Sequence, residues 1–237
     1  MGEQILNVKN VSVTVNKEKI LDDISFGVNQ GDALAIIGPN GAGKTVLFRT
    51  LLGLFSFTGE IEWKKGIRIG YAPQKFFVDR GVSITVKEFF LLKHNNFWFP
   101  RKEFLDHLAH ELALVGLGEE VLTRQVSELS GGQMQRILIA WAMINHPDVL
   151  LFDEPTAGID VGAEETIYTI LHKLQKERGT TILLISHDLN VVYRYADNVL
   201  CINKEMICHG KPHDILNPDE LARIYGEGAF YHHVEKE

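Results

Sequence analysis

Residues 38–45 carry the clearest chemical pattern of the chain, because they fit the spacing G-x-x-x-x-G-K-S/T of a phosphate-binding loop. Glycines let the backbone wrap closely around a phosphate chain, and the N–H groups at the start of a following helix attract negative charge. We expect the ammonium group of Lys44 to reach the terminal phosphates and the hydroxyl group of Thr45 to bind Mg²⁺. The alternative is a glycine-rich turn that binds no ligand. The candidate binding residues are Gly38, Pro39, Asn40, Gly41, Ala42, Gly43, Lys44 and Thr45.

Two adjacent carboxylates, Asp153 and Glu154, lie at the end of the apolar run 149–152, which predicts a buried strand. Ligands of open α/β sheets bind at the carboxyl ends of such strands. The carboxylate of Asp153 suits coordination of Mg²⁺, directly or through water, and Glu154 suits a general base that activates water. A simple acidic turn is the alternative, and the phosphate-binding loop earlier in the chain argues against it.

A third segment, Leu129-Ser130-Gly131-Gly132-Gln133, precedes a predicted helix over residues 134–145. Ser130 is a predicted N-cap of that helix, and the two glycines leave backbone N–H groups open to an anion. By itself this pattern indicates only a capped helix start.

Strands and helices must position these segments. The apolar run 33–37 predicts a buried strand before the phosphate-binding loop, and residues 46–52 predict the helix after it. Alternating apolar residues at 6–15 and 24–28 predict antiparallel strands, with a bulge or break at Asn10. Two further short strands are predicted over 59–63 and 67–71.

The pattern then changes to helical from residue 85 to residue 145, which predicts a helical block inserted between strands. Strand–helix alternation resumes after this block and includes a last helix that Asn217 caps. The predicted strands cover 149–153, 181–186, 199–202 and 206–208, and the predicted helices cover 161–176 and 189–195.

The composition limits the class of protein. The chain has 237 residues, 45% of them hydrophobic, which suffices for one large domain or a domain with a subdomain. The net charge of -7 disfavours nonspecific binding to nucleic acid. No apolar run approaches the ~20 residues of a membrane-spanning helix, and no secretory signal is evident. Cys201 and Cys208 do not suggest a disulfide framework, so we expect a cytoplasmic protein.

The sequence LSGGQ, with GPNGAGKT before it and LLFDEP after it, resembles the ATP-binding cassette family. The resemblance implies an α/β fold: a P-loop NTPase core with a mainly parallel sheet, an antiparallel β subdomain and an inserted helical subdomain. The resemblance further implies that residues 1–237 form a single nucleotide-binding domain. Within that domain, 1–74 and 148–210 form the catalytic core with the β subdomain, 75–147 the helical subdomain, and 211–237 a C-terminal helix and tail.

The resemblance also implies roles for residues that carry no signal alone. Gln74 matches the glutamine that contacts Mg²⁺ and senses the membrane partner, and His187 matches the histidine that contacts the γ-phosphate. Asp160 matches a segment that reaches the other cassette. Glu154 is then the catalytic base, and the cofactors are ATP and Mg²⁺.

In the family two cassettes pair head to tail, with ATP between them. The signature segment of one chain closes on the phosphate-binding loop of the other, which adds N–H donors and a helix dipole around the phosphates. A chain with a single cassette therefore implies an ATP-dependent homodimer. The signature residues are Ser130, Gly131, Gly132 and Gln133.

Residues 69–75, 186–192 and 198–203 resemble zinc- and manganese-type metal importers. We expect the ATPase subunit of such an importer, peripheral on the inner face of the cell membrane. Its partners would be a hydrophobic membrane permease and, through it, an extracytoplasmic metal-binding protein. Importers of iron chelates or vitamins are the nearest alternatives, followed by ATPases of DNA repair or translation. No nucleic-acid partner is expected.

The chain departs from the family at the adenine site. Most cassettes place an aromatic residue near the end of the first strand, whereas the matching position here is Val15. We therefore expect adenine to be held loosely.

Two further groups of residues suggest a binding role: an apolar cluster after Gln74, and the cysteines and histidines near the end of the chain. The apolar cluster Phe76, Phe77 and Val78 predicts a docking surface for the permease, with a loop buried in the subdomain core as the alternative. The cysteines and histidines of 201–213 and the histidines of the tail lack close ligand pairs, so a regulatory metal site is not expected there. Cys201 is predicted to be a core residue.

Overall fold

The computed structural model describes residues 2–74, 83–93, 102–155 and 161–226. The chain divides into two compact units: the first contains Met1–Ile67 and Gln175–Glu237, and the second contains Arg68–Leu174. The predicted α/β fold, with parallel and antiparallel strands and a helical insertion, is confirmed. The predicted subdomain boundaries at residues 74, 147 and 210 remain a prediction.

The elements of the described chain follow one another in a strand-rich, then helical, then alternating order. The strands are β1 (Gln4–Val15), β2 (Glu18–Asn29), β3 (Ala33–Ile37), β4 (Thr58–Trp63), β5 (Ile69–Ala72), β6 (Val149–Asp153), β7 (Thr181–Ile185), β8 (Asn198–Asn203) and β9 (Glu205–Gly210). The helices are α1 (Lys44–Leu51), α2 (Val86–Leu91), α3 (Lys102–Leu114), α4 (Gly131–Met143), α5 (Val161–Arg178), α6 (Leu189–Tyr195), α7 (Pro212–Ile215) and α8 (Pro218–Tyr225). Short 3₁₀ helices lie at Glu119–Thr123 and Val126–Glu128.

The antiparallel part of the first unit is built from β1, β2 and β4. A two-residue turn joins β1 to β2, and both of its residues, Asn16 and Lys17, have positive φ, as hairpin turns of this length require. The predicted bulge at Asn10 is confirmed, because φ is 50° there and the register shifts between Val8 and Val11. The bulge lets the apolar residues on both sides of it stay buried.

The parallel part of the first unit places β3 between β7 and β8. All five residues of β3 are buried, as expected for a strand covered on both faces. Because the three strands run in the same direction, their carboxyl ends lie at one edge of the sheet. The loops that follow β3 and β7 therefore begin at this edge.

The second unit contains the parallel pair β5 and β6 and the helices α2, α3 and α4. Helix α3 and the residue that follows it bury an apolar face, because Leu108, Leu112 and Val115 are completely buried. Helix α4 buries most of its apolar residues and also the polar residue Gln135. This unit carries the predicted signature segment, the predicted Mg²⁺ ligand Asp153 and the predicted catalytic base Glu154.

Two expectations need correction. Cys201 is buried as predicted, but it forms a disulfide with Cys208, its partner in the antiparallel pairing of β8 and β9. The spacing of seven residues does not by itself indicate this pairing. The disulfide forms because the tight hairpin of β8 and β9 places the two cysteines opposite each other. Helix α7 was not expected, since it is only four residues long and lacks an apolar period.

Candidate functional site

The predicted phosphate-binding loop leaves the sheet at the end of β3. Gly38 has φ 152°, and a Cβ atom there would lie 2.0 Å from the carbonyl oxygen of Ile202. Only glycine fits that close approach. Gly43 adopts a left-handed conformation as the N-cap of α1, which begins at Lys44. The loop thus connects a buried strand to a helix N-terminus, the arrangement that binds phosphate.

Lys44 is held against the loop itself. Its ammonium group donates to the carbonyl oxygens of Gly38, at 2.7 Å, and Pro39, at 3.0 Å. Only 6% of the residue is exposed. The positive charge is therefore fixed beside the helix N-terminus, where both would act on the same anion.

His187 follows β7 at the same edge of the sheet. Ile36 of β3 pairs with Ile185 of β7, and the N–H group of Ser186 donates to the Ile36 carbonyl oxygen at 3.3 Å. Asp188, the next residue, caps α6 by accepting from the N–H group of Asn190 at 2.8 Å. The exposed imidazole is thereby carried between two anchored neighbours on the side of the sheet that bears the phosphate-binding loop.

In the second unit, Gln74 follows β5 and Glu154 follows β6, and the pairing of these two strands brings the two side chains into contact. Ala72 pairs with Phe152, and the side-chain amide of Gln74 donates to a carboxylate oxygen of Glu154. Asp153 is only 2% exposed, whereas Glu154 is partly exposed. The predicted catalytic residues of this unit are thus adjacent, although the resemblance did not predict their direct contact.

Glu154 has a left-handed backbone conformation, with φ 47°. Residues other than glycine, asparagine and aspartate rarely adopt it, and such backbone strain concentrates at functional sites. No sequence pattern signals this feature, because glutamate has no preference for the left-handed region.

The predicted N-cap of the signature helix is confirmed. The hydroxyl group of Ser130 accepts from the N–H group of Gln133, while the Gln133 side chain accepts from the N–H group of Ser130, both at 3.2 Å. Arg124 adds a donor to the Gln133 side-chain oxygen at 3.2 Å. Gly131 and Gly132 form the first turn of α4.

Val15 is the last residue of β1 and is partly exposed, and its role at the adenine site stays a prediction. Asp160 and the cluster of Phe76, Phe77 and Val78 lie outside the described residues, so their predicted roles stay predictions. His232 and His233 of the tail also lie outside the described residues.

The histidines after β8 have ordinary structural contacts. His209 packs edge-on against Phe26, and burial lowers its pKa. The ring of His213 lies 5.1 Å from that of Tyr193.

A different group of potential metal ligands, which the sequence analysis missed, lies in the second unit. It comprises His107, Glu111 and His146. The spacing of four between His107 and Glu111 was a possible signal, but His146 is too distant in sequence to be associated with them. No helix among the described residues is long and apolar enough to cross a membrane.

A phosphate-binding loop between a buried parallel strand and a helix, with a carboxylate pair after another parallel strand, defines a P-loop nucleoside triphosphatase. The sequence profile of the ABC transporter family matches residues 21–157, and the chain belongs to that family. The predicted resemblance is confirmed.

Relatives extend this assignment over the full length. The zinc import ATP-binding protein ZnuC of Cereibacter sphaeroides is 36% identical over 235 residues, covering 97% of this chain and 93% of the relative. The structure of cbiO1 from Clostridium perfringens, part of the ABC transporter complex cbiONQ, is 28% identical with a TM-score of 0.76 and coverages of 93% and 94%. The dimeric bacterial ABC transporter cassette MJ0796 is 26% identical with a TM-score of 0.76 and coverages of 88% and 99%.

Proposed function

We propose that this chain is the ATP-binding and ATP-hydrolysing subunit of an ABC importer of zinc. The observation that carries the proposal is the full-length similarity to zinc import ATP-binding proteins, since 97% of this chain aligns with the relative from Cereibacter sphaeroides at 36% identity. The contact between Gln74 and Glu154 supports hydrolysis, because a pure binding module has no need of a positioned base.

ATP binding rests on residues 38–45. Lys44 would exchange its loop carbonyl partners for phosphate oxygens, and the N–H groups of the first turn of α1 would donate to the same phosphates. Thr45 and Asp153 each offer an oxygen ligand of the type that Mg²⁺ prefers, so the residues present fit this ion. When bound, Mg²⁺ would neutralise charge that develops on the phosphates.

Hydrolysis rests on the carboxylate of Glu154, which accepts a proton from the attacking water. Gln74 orients this carboxylate through its amide, and the same glutamine is the proposed link to Mg²⁺ and to the membrane partner. His187 would donate to the γ-phosphate from the edge of the sheet that carries the phosphate-binding loop.

The assembly is proposed to be a homodimer that forms on ATP binding. Ser130, Gly131, Gly132 and Gln133 of one chain would close on the ATP held by the other, with Asp160 at the interface. The reciprocal hydrogen bonds between Ser130 and Gln133 do not use the N–H groups of Gly131 and Gly132 in the first turn of α4. These N–H groups would donate to an anion. The structure of the similar cassette MJ0796 is dimeric, which supports this proposal.

The transport partners are proposed to be a separate membrane permease and an extracytoplasmic metal-binding protein. The related cbiO1 chain is part of a multi-component ABC transporter complex, which supports a separate permease here. The chain would then sit on the inner face of the membrane, in contact with the cytoplasm.

The decisive experiment is uptake of radioactive zinc in a strain that lacks this chain, complemented with the wild type or with Lys44→Ala. Restored zinc uptake by the wild type alone supports the proposal. Restored uptake of manganese, of an iron chelate or of a vitamin without restored zinc uptake would assign the chain to that importer. Copurification with DNA or ribosomes instead of a hydrophobic permease would exclude transport.

A further inference from the structure

We propose that His107, Glu111 and His146 form a second metal site, distinct from the nucleotide site, that binds a divalent transition-metal ion and fits Zn²⁺ best. One ring nitrogen of each histidine and one carboxylate oxygen of Glu111 all lie within 4.8 Å of one another. This is the one such group of three within the part of the chain that the structure describes. All three residues belong to the second unit, and none has a role in the proposed reaction with ATP.

The first two ligands come from α3. His107 and Glu111 are four residues apart and therefore project from the same face of the helix. The carboxylate of Glu111 is completely buried, and one of its oxygens lies 3.7 Å from Nε2 of His107. A buried carboxylate carries a large desolvation cost, which an adjacent cation offsets.

The third ligand comes from the segment after α4. His146 has φ 46°, and its N–H group donates to the carbonyl oxygen of Met143 at 2.9 Å. Glycine or asparagine commonly takes the left-handed position at a helix end, so a histidine here is unusual. The conformation brings its ring to 4.1 Å from the ring of His107, nearly parallel at 28°.

The surroundings of His107 match those of a metal-binding histidine. Its Nε2 lies 3.0 Å from the carbonyl oxygen of Ile144. Donation from Nε2 to this carbonyl leaves the lone pair on Nδ1, so Nδ1 is the atom that would bind the ion, and the 3.7 Å between Nε2 and Glu111 is not a separation between two ligand atoms. Metal-binding histidines commonly donate their other ring N–H to a backbone carbonyl in this way. The same contact fixes the orientation of the ring relative to α4.

The geometry needs only a small adjustment to bind zinc. Tetrahedral Zn²⁺ with bonds of roughly 2.0–2.1 Å sets its ligand atoms about 3.3 Å apart, so separations of up to 4.8 Å must close by no more than about 1.5 Å. The exposed ring of His146 has room to make this movement. Two imidazoles and one carboxylate, with water in the fourth position, suit zinc, whereas Mg²⁺ prefers an octahedral shell of oxygens.

The bound ion would connect two helices of the second unit. It would link α3 to the segment that follows the C-terminal end of α4. The N-terminal end of α4 carries the capped signature segment. Zn²⁺ should therefore raise the thermal stability of the protein, in proportion to the logarithm of its concentration above the dissociation constant. The proposal does not depend on which solute the transporter carries.

The test is titration of the full-length chain with Zn²⁺ alone, in the absence of nucleotide and Mg²⁺, followed by calorimetry and thermal denaturation. His146→Asn removes the ligand and keeps a residue that tolerates the left-handed backbone. We expect at least roughly tenfold weaker zinc binding at this site and loss of the thermal shift, since even outer-shell changes cost 10–100-fold. His110→Asn, on an exposed position of α3, is the matched control and should bind as the wild type does.

A second measurement on the wild type guards against misfolding of the variants. Zn²⁺ should protect His107 and His146, but not His110, from modification by diethylpyrocarbonate, as read by mass spectrometry. Absence of binding by the wild type, undiminished binding by a folded His146→Asn variant, or protection confined to histidines elsewhere in the chain would each overturn the proposal. The outcome is separate from that of the uptake experiment, which does not involve these residues.

Discussion

At the scale of single residues, Glu154 carries the clearest prediction. Its carboxylate is held by the amide of Gln74 and is set on a left-handed backbone. Glu154→Gln retains an oxygen that accepts from Gln74, so the fold should persist while the proposed catalytic base is lost. We expect ATP turnover to fall by ~10²–10⁴-fold, with ATP binding little changed and a closed dimer favoured.

Steady-state ATPase assays and nucleotide binding measure the two effects of Glu154→Gln separately. Glu60→Gln, which removes an exposed carboxylate of β4, is the control and should hydrolyse ATP normally. Size-exclusion chromatography of Glu154→Gln with ATP should give a dimer, and a monomer would contradict the assignment.

Val15 supports a prediction about nucleotide selectivity. At the end of β1, its apolar side chain would provide contact to adenine but no ring for stacking, and stacking is worth roughly 1–3 kcal/mol per base in nucleic-acid complexes. We expect modest discrimination between ATP and GTP, and tighter ATP binding by Val15→Tyr. Titration of both nucleotides against both proteins measures this. Strong ATP preference in the wild type together with no gain from tyrosine would refute it.

At the scale of elements, Gly70 sets how closely β5 approaches α4. A Cβ atom at this position would lie 2.4 Å from the carbonyl oxygen of Ala142 and 2.7 Å from a methyl carbon of Leu150. Gly70→Ala should therefore displace α4 and destabilise the protein by about 1–3 kcal/mol, as overpacking does.

Hydrogen exchange locates the effect of Gly70→Ala, which should be faster exchange throughout α4. Gly66→Ala is the control, because φ is 78° there but no atom lies within 4 Å of the added methyl group. That variant should strain only its own turn. Unchanged exchange in α4 of Gly70→Ala would show that the contact does not position the signature helix.

Lys93 gives a prediction about pH. Burial lowers the pKa of its ammonium group to about 8, although Nζ donates to the Trp141 carbonyl oxygen at 2.8 Å and lies 3.6 Å from the Trp141 ring centroid. Between this value and the ordinary pKa of about 10.4, the unfolded chain binds more protons than the folded one. Stability contributed by this group should therefore rise with pH across that window and be lowest below pH 8.

Comparison with Lys93→Met isolates the titration of Lys93, because methionine keeps the contact with Trp141 and cannot ionise. Chemical denaturation at several pH values between 8 and 10 should show the wild type gaining stability relative to the variant. A difference that stays constant or falls with pH would contradict the burial of this charge.

The elements that the sequence predicts best are those whose residues are all buried or clearly capped. The bounds of β6 and α6 agree with the predicted residues, and Asn217 caps α8 as predicted. Continuous apolar runs and N-cap residues are local signals, which is why they can be found without the structure. Helix α7 and the disulfide depend on how the chain folds back after β8, so no local signal marks them.

The same distinction applies to the site. Residues 38–45 and Ser130 are recognisable because their roles depend on neighbours in sequence. The contact of Gln74 with Glu154 and the approach of His146 to His107 depend on residues far apart in the chain. Left-handed conformations at Glu154 and His146 were also hidden, since neither residue type predicts them.

At the scale of the whole molecule, the proposed head-to-tail dimer makes each ATP site a product of two chains. One chain supplies Lys44 and the loop around it, and the other supplies the capped first turn of α4. Two different defects on different chains should therefore complement each other. A chain with Lys44→Ala still has a normal signature segment, and a chain with Ser130→Arg still has a normal phosphate-binding loop.

We predict that mixing these two variants, each also carrying Glu154→Gln to prevent turnover, restores ATP-dependent dimerisation and traps one ATP per dimer. Each variant alone should trap none, because every site in its homodimer contains the defect. The control is a chain with both Lys44→Ala and Ser130→Arg mixed with a chain bearing only Glu154→Gln, since both sites of that heterodimer are defective. Filter-bound radioactive ATP and size-exclusion chromatography measure trapping and dimerisation. If the heterodimer of the control traps ATP and the mixture of single variants does not, the two halves of each site belong to the same chain and the head-to-tail arrangement is wrong.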